Sequence, residues 1–179
     1  MERQDRNFHE DVMKKQILFL ACILACAGFG FSQEKNLRES FVLNLAVNEE
    51  QYYAAEINES PYVLPENTVQ VYPGEELYIE ADVEDNVLVN LKNVEKIENP
   101  EKTLIIKFSQ ICDGKKHQAM MLSVFNPFEQ DLGYSAIIYL LMYGRWVESD
   151  VIDIKPESTG YETWRDIICT IALTDWKLK

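Results

Sequence analysis

From residue 41 onward the chain alternates apolar and polar residues or runs through short apolar stretches, with turn-forming residues between them. Alternation with a period of two puts every second side chain on one face of a strand, and turns spaced by about 8–12 residues are typical of all-β domains. The segment 158–166 is the one place where a single helical turn is expected. The pattern predicts ten strands, at 41–47, 52–57, 68–72, 76–83, 87–94, 103–111, 118–125, 134–143, 146–154 and 167–176.

Two turns between these strands have specific chemistry. In Tyr72-Pro73-Gly74, a proline with a fixed φ precedes a glycine that accepts a positive φ. Asp113-Gly114 is a dipeptide typical of hairpin turns. The segments 119–125 and 136–142 are apolar on both faces, as in strands that are covered on both sides. The joint between them offers Phe128 or Leu132 to plug the end of a core. The sequence therefore predicts an all-β fold with two packed sheets and about eight to ten strands.

The stretch Val124-Phe125-Asn126-Pro127, the loop after it and the segment Tyr134 to Tyr139 resemble the immunoglobulin-like β-sandwiches of many bacterial exported proteins. Trp146 and the segment Glu162 to Leu173 are also similar to exported bacterial sandwich proteins of unassigned function. The resemblance covers about 125 to 135 residues as a pattern and implies an immunoglobulin-like two-sheet β-sandwich rather than an activity. The Cys-Trp-Cys order of antibody domains has no convincing counterpart.

The start of the chain indicates export. Lys14 and Lys15 precede an apolar run of 15 residues, Ile17 to Phe31, which is followed by Ser32. A membrane-crossing helix needs about 20 apolar residues, so residues 1–32 are predicted to be a cleaved signal peptide. Residues 1–12 carry four acids and two arginines, unlike the basic start of a signal peptide, which suggests translation from Met13.

Cleavage after Ser32 would leave a polar, flexible leader at residues 33–40 and one β-sandwich domain at residues 41–179. We expect this protein to be periplasmic or secreted in a bacterial envelope, without membrane insertion after signal cleavage. Lipid attachment at Cys22 or Cys26, or a retained signal anchor, is the alternative.

The net charge is −13, and it stays −13 without residues 1–32, because that segment holds four basic and four acidic residues. Such a charge repels phosphate backbones and anionic lipid surfaces, so we expect no nucleic-acid partner. The expected partner is an unknown protein or a glycan.

Catalytic chemistry has little support in the sequence. His117 is the one histidine after residue 32, and it lies beside a predicted hairpin turn. No glycine-rich loop joins a strand to a helix, and one histidine with two dispersed cysteines does not make a zinc site. The sequence predicts no catalytic residues and no cofactor.

Acidic residues at one turn form the candidate metal site. Asp82, Glu84 and Asp85 could offer oxygens to calcium, which takes six to eight of them. The spacing lacks the Asp-x-Asp-x-Asp-Gly pattern of calcium loops, and a solvated acidic turn explains these residues equally well.

The two remaining cysteines, Cys112 and Cys169, fall on the inward parity of their predicted strands. In an oxidising compartment they could form a disulfide that adds about 4 kcal/mol. Two separate buried thiols that behave as small apolar residues are the alternative.

Aromatic residues near strand ends are the candidate binding residues: Tyr161, Trp164 and Trp146. Flat rings with a polar edge stack on sugars or anchor protein interfaces, but large aromatic side chains also fill small β cores. We expect Tyr161 to be exposed and Trp164 to be packed.

Three function classes remain. The favoured one is an exported, non-enzymatic β-sandwich that binds a partner or joins an envelope assembly. A periplasmic chaperone-like or protease-inhibitor-like accessory domain would instead offer an edge strand to client chains. A carboxylate-based hydrolase would need two inward carboxylates in a cleft. Clustered exposed aromatics would favour the first class.

Overall fold

The apolar alternation produces strands along almost the whole of the described chain. The computed structural model describes residues 37–179, so the predicted signal peptide lies outside the described residues. The strands are β1 (Leu37–Arg38), β2 (Phe41–Ala46), β3 (Tyr52–Ile57), β4 (Ser60–Pro61), β5 (Val63–Leu64), β6 (Thr68–Val71), β7 (Glu76–Glu84), β8 (Val87–Val94), β9 (Thr103–Asp113), β10 (Lys116–Phe125), β11 (Leu132–Leu140), β12 (Arg145–Ser149), β13 (Thr159–Trp164) and β14 (Ile168–Leu178). Within residues 37–179 the helical structure is one 3₁₀ turn, Pro100–Lys102.

The all-β prediction is confirmed, but the predicted number of strands is wrong. Residues 37–179 form fourteen strands, not eight to ten. Strands β1, β4 and β5 have two residues each, too few for any alternation to be visible. Strand β13 replaces the helical turn expected near 158–166. Its Gly160 permits close packing, since an added Cβ would lie 2.7 Å from Cγ1 of Ile154.

Both specific turns are confirmed. Gly74 has a φ of +97°, and the amide of Glu75 donates to the carbonyl of Tyr72 at 3.1 Å. Gly114 has a φ of +59°, and Asp113 pairs with Lys116 across the hairpin. Glycine is favoured at both positions because side chains make positive φ costly.

Ten strands belong to one sheet. Its order is β12-β11-β14-β8-β7-β9-β10-β13, with β6 also paired to β14 and β5 paired to β6. The β14–β8 connection is a single residue pair, Lys177 with Val87. Five strands therefore lie on each side of a narrow junction. The remaining strands form two separate pairs, β2 with β3 and β1 with β4.

Strands from both sides of the junction contribute to one apolar core. Val69, Ile171 and Leu173 come from β6 and β14, while Ile79, Ile106 and Leu122 come from β7, β9 and β10. Full burial of such a side chain contributes about 1.5–3 kcal/mol. This shared core also contains Phe128 and Leu132, the two candidate plugs, and both are buried.

The β2–β3 hairpin covers a second, smaller apolar cluster. Leu43 and Leu45 pack there with Ile167 and Cys169. Gln110 of β9 ties the hairpin to the large sheet, because its amide accepts from the backbone N–H of Ala46 and donates to the Ala46 carbonyl, both at 2.8 Å. The Gln110 side chain thus makes two hydrogen bonds to Ala46 of the kind that a neighbouring strand would make.

Arg38 shows that the end of the predicted leader belongs to the folded domain. It is only 2% exposed. Its guanidinium pairs with both carboxylate oxygens of Glu75 and donates to the carbonyl of Gln70 at 2.8 Å. The rings of Tyr62 and Tyr72 lie 4.6 and 4.8 Å from its central carbon. A buried arginine needs such partners, and these contacts join Arg38 to the folded domain.

The two ends of β11 differ in construction. Asn126, fully buried near its start, has its Nδ2 within hydrogen-bonding distance of the carbonyls of Gln130, Ile154 and Lys155, at 2.8 to 3.1 Å. Its Oδ1 accepts from the amide of Phe128 at 2.9 Å. The other end of β11 continues into the hairpin with β12.

Candidate functional site

The hairpin between β11 and β12 carries three exposed, large apolar side chains within five positions. Met142, Tyr143 and Trp146 are 71%, 63% and 46% exposed. Exposed apolar side chains are ordinary when they are scattered, whereas a contiguous group marks an interaction site more often.

The backbone of this hairpin fixes the loop that presents them. Leu140 pairs with Arg145, and the amide of Gly144 donates to the carbonyl of Leu140 at 2.9 Å. Gly144 has a φ of +59°, a conformation that glycine adopts without steric cost. Residues 141–144 therefore form a closed four-residue loop.

The base of the hairpin is anchored in the second apolar cluster. Leu141 and Tyr139 pack against that cluster, and the amide of Leu141 donates to the carbonyl of Ile167 at 2.9 Å. Trp146 meets the ring of Tyr139 edge to face, with centroids 5.3 Å apart. The tryptophan is held by a neighbour while nearly half of it stays exposed.

Arg145 completes the group, with its guanidinium carbon 5.8 Å from the ring centroid of Tyr143. We call Met142, Tyr143, Arg145 and Trp146 the hairpin patch. The patch holds no carboxylate, histidine or thiol, so it offers contact area and a cation rather than acid-base chemistry. Tryptophan, tyrosine, methionine and arginine are the residues enriched at the centres of protein interfaces.

The three predicted binding residues are not brought together. Trp146 lies in the hairpin patch, but Trp164 packs against the large core and its Nε1 donates to Oγ of Ser149 at 2.9 Å. Tyr161 is 64% exposed on β13, opposite Ser123 of β10. Trp164 therefore has a packing role, and Tyr161 stands apart from the patch.

The predicted metal residues do not form a binding group. The carboxylate of Asp82 receives Nζ of Lys102 at 3.2 Å and Nδ2 of Asn90 at 3.3 Å. These hydrogen bonds, the one from Asn90 foremost, lower the pKa of Asp82. Asp85 has a φ of +50° in the tight turn after Glu84. Among residues 37–179, no three His, Cys, Asp or Glu side chains form a group suited to a metal ion.

Glu80, beside Asp82 on β7, is a buried acid that the sequence did not single out. Its carboxylate accepts from Nδ2 of Asn99 at 2.8 Å and meets Nζ of Lys102 at 3.1 Å and Nζ of Lys92 at 3.3 Å. The Asn99 hydrogen bond, supported by the two lysines, lowers the pKa of Glu80 to about 2. Glu80 is thus a charged structural tie between β7, β8 and the 3₁₀ turn.

His117 has both ring nitrogens engaged. Nδ1 lies 3.0 Å from Nε2 of Gln110, and Nε2 lies 2.9 Å from the carbonyl of Arg165. Because an amide nitrogen donates and a carbonyl accepts, the neutral form with the proton on Nε2 satisfies both contacts. The ring bridges β9, β10 and the loop before β14.

Both cysteines of the described chain are free, so the structure does not contain the possible disulfide. The inward parity assigned to Cys112 is wrong: the end of β9 extends beyond the core, and Ile111, Cys112 and Asp113 are all exposed. Cys169 is buried beside Tyr53, and burial raises its pKa to about 11. It is a small core residue.

The sequence does not single out Met142 or Arg145 of the hairpin patch, whereas Tyr143 is among the aromatic residues near predicted strand ends. The sequence predicts Met142 and Tyr143 at the end of a strand that reaches residue 143, but β11 ends at Leu140. The dipeptide Gly144-Arg145 is the sequence signal that marks a turn here. If the loop closes at this glycine and has four residues, Met142 and Tyr143 belong to the loop and not to the strand.

No protein-family model matches this chain, and neither a curated protein nor a solved structure matches it. The part of the chain described by the structure has no helix with the length and hydrophobicity needed to cross a bilayer.

Proposed function

We propose that this chain is an exported, non-enzymatic binding protein of the immunoglobulin-like β-sandwich type, and that the hairpin patch contacts a protein partner. The observation that carries the proposal is the exposure of Met142, Tyr143 and Trp146 on an anchored hairpin. Folding alone leaves much of each of these side chains in water, whereas an interface would bury them.

Two features support the sandwich assignment. The large sheet narrows to one residue pair between β14 and β8, and the five strands on either side of that pair share a core. Such a division is expected of two packed sheets.

Export rests on Lys14, Lys15 and the apolar run that follows them.

A protein partner fits the patch better than a glycan does. Sugar-binding rings are usually accompanied by polar side chains that fix hydroxyl groups, whereas Met142 and Arg145 are typical of protein interfaces. The flexible thioether of Met142 adapts to an irregular apolar surface.

The test is capture from envelope extract with the exported protein as bait. We expect the triple variant Met142→Ala, Tyr143→Ala and Trp146→Ala to lose a partner that the wild type retains. Removal of a central tryptophan alone typically costs at least about 2 kcal/mol of binding, or about thirtyfold in affinity. Tyr161→Ala removes an equally exposed ring elsewhere and should retain the partner.

Equal capture by the wild type and the triple variant would refute the patch as the binding site. Binding to purified glycans that is lost in Trp146→Ala would show that the ligand of the patch is a sugar and not a protein.

A second candidate is the accessory domain that adds a client strand. It is favoured by the position of β12 at one end of the large sheet, where β11 is its one paired neighbour among residues 37–179. Strand addition depends on backbone hydrogen bonds, which proline cannot donate. Glu148→Pro in β12 would then abolish capture while the triple patch variant retains it.

A further inference from the structure

A cleft lies at the end of β11 away from the hairpin patch, where the chain leaves β10 and turns toward β11. Its volume is about 620 Å³. The walls are apolar and come from Val83, Pro100, Phe125, Pro127, Phe128 and Leu178. The rest of its lining is Gln130 and three acids, Glu101, Glu129 and Glu157, and no lysine or arginine of residues 37–179 lines it. We call this the acidic cleft.

The three glutamates have no cationic partner among residues 37–179. The nearby lysines pair elsewhere: Lys102 with Glu80 and Asp82, Lys155 with Asp131, and Lys179 with Asp153. The side chains of Glu101, Glu129 and Glu157 take part in no ion pair or hydrogen bond of the described chain. Three negative charges thus border an apolar surface without compensation.

The backbone around the cleft is fixed. The amide of Glu157 donates to the carbonyl of Phe128 at 3.2 Å, and the amide of Asn126 donates to the carbonyl of Ser158 at 2.9 Å. The buried side chain of Asn126 holds the same loop. A preformed cleft loses little conformational entropy when a ligand enters, which favours binding.

We propose that the acidic cleft binds a short basic peptide segment of a partner protein. A lysine or arginine of that segment would lay its methylene groups on the apolar walls and place its charge among the glutamates, since these side chains combine an apolar stem with a charged tip. The net charge of −13 attracts a basic segment from a distance. The cleft and the hairpin patch are at opposite ends of β11, so this inference does not depend on the proposed function.

The probe is the peptide acetyl-Leu-Lys-Leu-Lys-amide, titrated into the ¹⁵N-labelled exported protein and followed by amide chemical shifts. We expect saturable shifts at Val83, Phe128 and Glu157 that weaken as salt is added, because exposed charges are screened. The neutral peptide acetyl-Leu-Gln-Leu-Gln-amide should bind about tenfold more weakly, as expected when a few exposed ion pairs are lost.

Two variants and a matched control locate the interaction. The triple variant Glu101→Gln, Glu129→Gln and Glu157→Gln should weaken the lysine peptide about tenfold. Val83→Lys places a cation on an exposed wall position and should abolish binding. The control triple Glu49→Gln, Glu56→Gln and Glu148→Gln removes the same charge elsewhere and should bind as the wild type does.

The proposal is overturned if the control triple weakens binding as much as the cleft triple, because net charge alone would then explain the attraction. It is also overturned if the glutamine peptide binds equally well, or if the shifts fall outside the cleft.

Discussion

The two ends of β11, at the hairpin patch and at the acidic cleft, differ in how far the fold buries their side chains. At the cleft end, the buried amide of Asn126 meets the hydrogen-bonding needs of a loop, and Phe128 fills the core below it. At the hairpin end, a closed four-residue loop leaves Met142 and Tyr143 exposed. The contrast indicates that the cleft end contributes more to stability. The hairpin end carries exposed apolar side chains that contribute little to it.

The largest loss of stability is expected for Asn126→Ala. The change leaves the amide of Phe128 without its acceptor and the carbonyl of Gln130 without its donor, whereas the carbonyls of Ile154 and Lys155 still accept from Leu132 and Ser158. At about 1–3 kcal/mol for each group left unsatisfied, we expect about 4 kcal/mol in total. Denaturant unfolding measures the loss. Asn44→Ala removes an exposed side chain with one local hydrogen bond and should change stability by less than about 0.5 kcal/mol. Similar effects of the two changes would show that the Asn126 network does not hold this end.

Two tryptophans sharpen the comparison. Trp164→Ala removes a ring that packs on the core and a hydrogen bond to Ser149, so we expect a loss of about 3 kcal/mol. Trp146→Ala removes a half-exposed ring that packs edge to face on Tyr139 and should cost about 1 kcal/mol. Thermal unfolding of both variants provides the measurement. A larger loss for Trp146 would reverse the roles assigned to them.

Acid should act on the Glu80 network beside the acidic cleft. The folded pKa of Glu80, about 2, lies below its ordinary value of 4.5. Glu80 therefore contributes stability that is complete above pH 4.5 and is lost as the pH falls toward 2. The unfolding free energy of the wild type should decrease more steeply over this range than that of Glu80→Gln. Parallel curves would remove Glu80 as a source of acid sensitivity.

The smallest effect on stability is expected from the hairpin loop itself. Met142→Ala and Tyr143→Ala change exposed side chains and should each alter the unfolding free energy by less than about 0.5 kcal/mol. Denaturant midpoints test this expectation. A loss above about 1.5 kcal/mol would mean that the loop stabilises the fold and is not free to serve binding.

Much of the fold could be predicted from alternation, because a strand with one buried face must place apolar residues at every second position. Thr103–Asp113 is the clearest case, since Leu104, Ile106 and Phe108 are buried at every second position. The sequence predicts a single helical turn near 158–166 in place of the Thr159–Trp164 strand, where Gly160 allows close contact with Ile154. The strand pairs with β10, which is far away in the sequence, so no local pattern reveals it.

The candidate site could be predicted only in part. Trp146 was identified, but the exposure of Met142 depends on where β11 ends, and an apolar run does not mark that position. The roles of Arg38 and Asn126 depend on partners that are far away in the sequence, such as Glu75 and Ile154. The expectation that Cys112 faces the core is also wrong, because alternation along a strand does not predict burial where the strand extends beyond the core.

The central claim is that the hairpin patch, and not the exposed rings elsewhere, contacts a protein partner. Tyr143 and Tyr161 are matched probes, at 63% and 64% exposure. Each can be replaced by the photo-crosslinking residue p-benzoylphenylalanine in the exporting cell, and irradiation followed by mass spectrometry identifies any adduct. We predict a defined protein adduct from position 143 and none from position 161. An adduct from position 161 alone, or none from either position, would contradict the account.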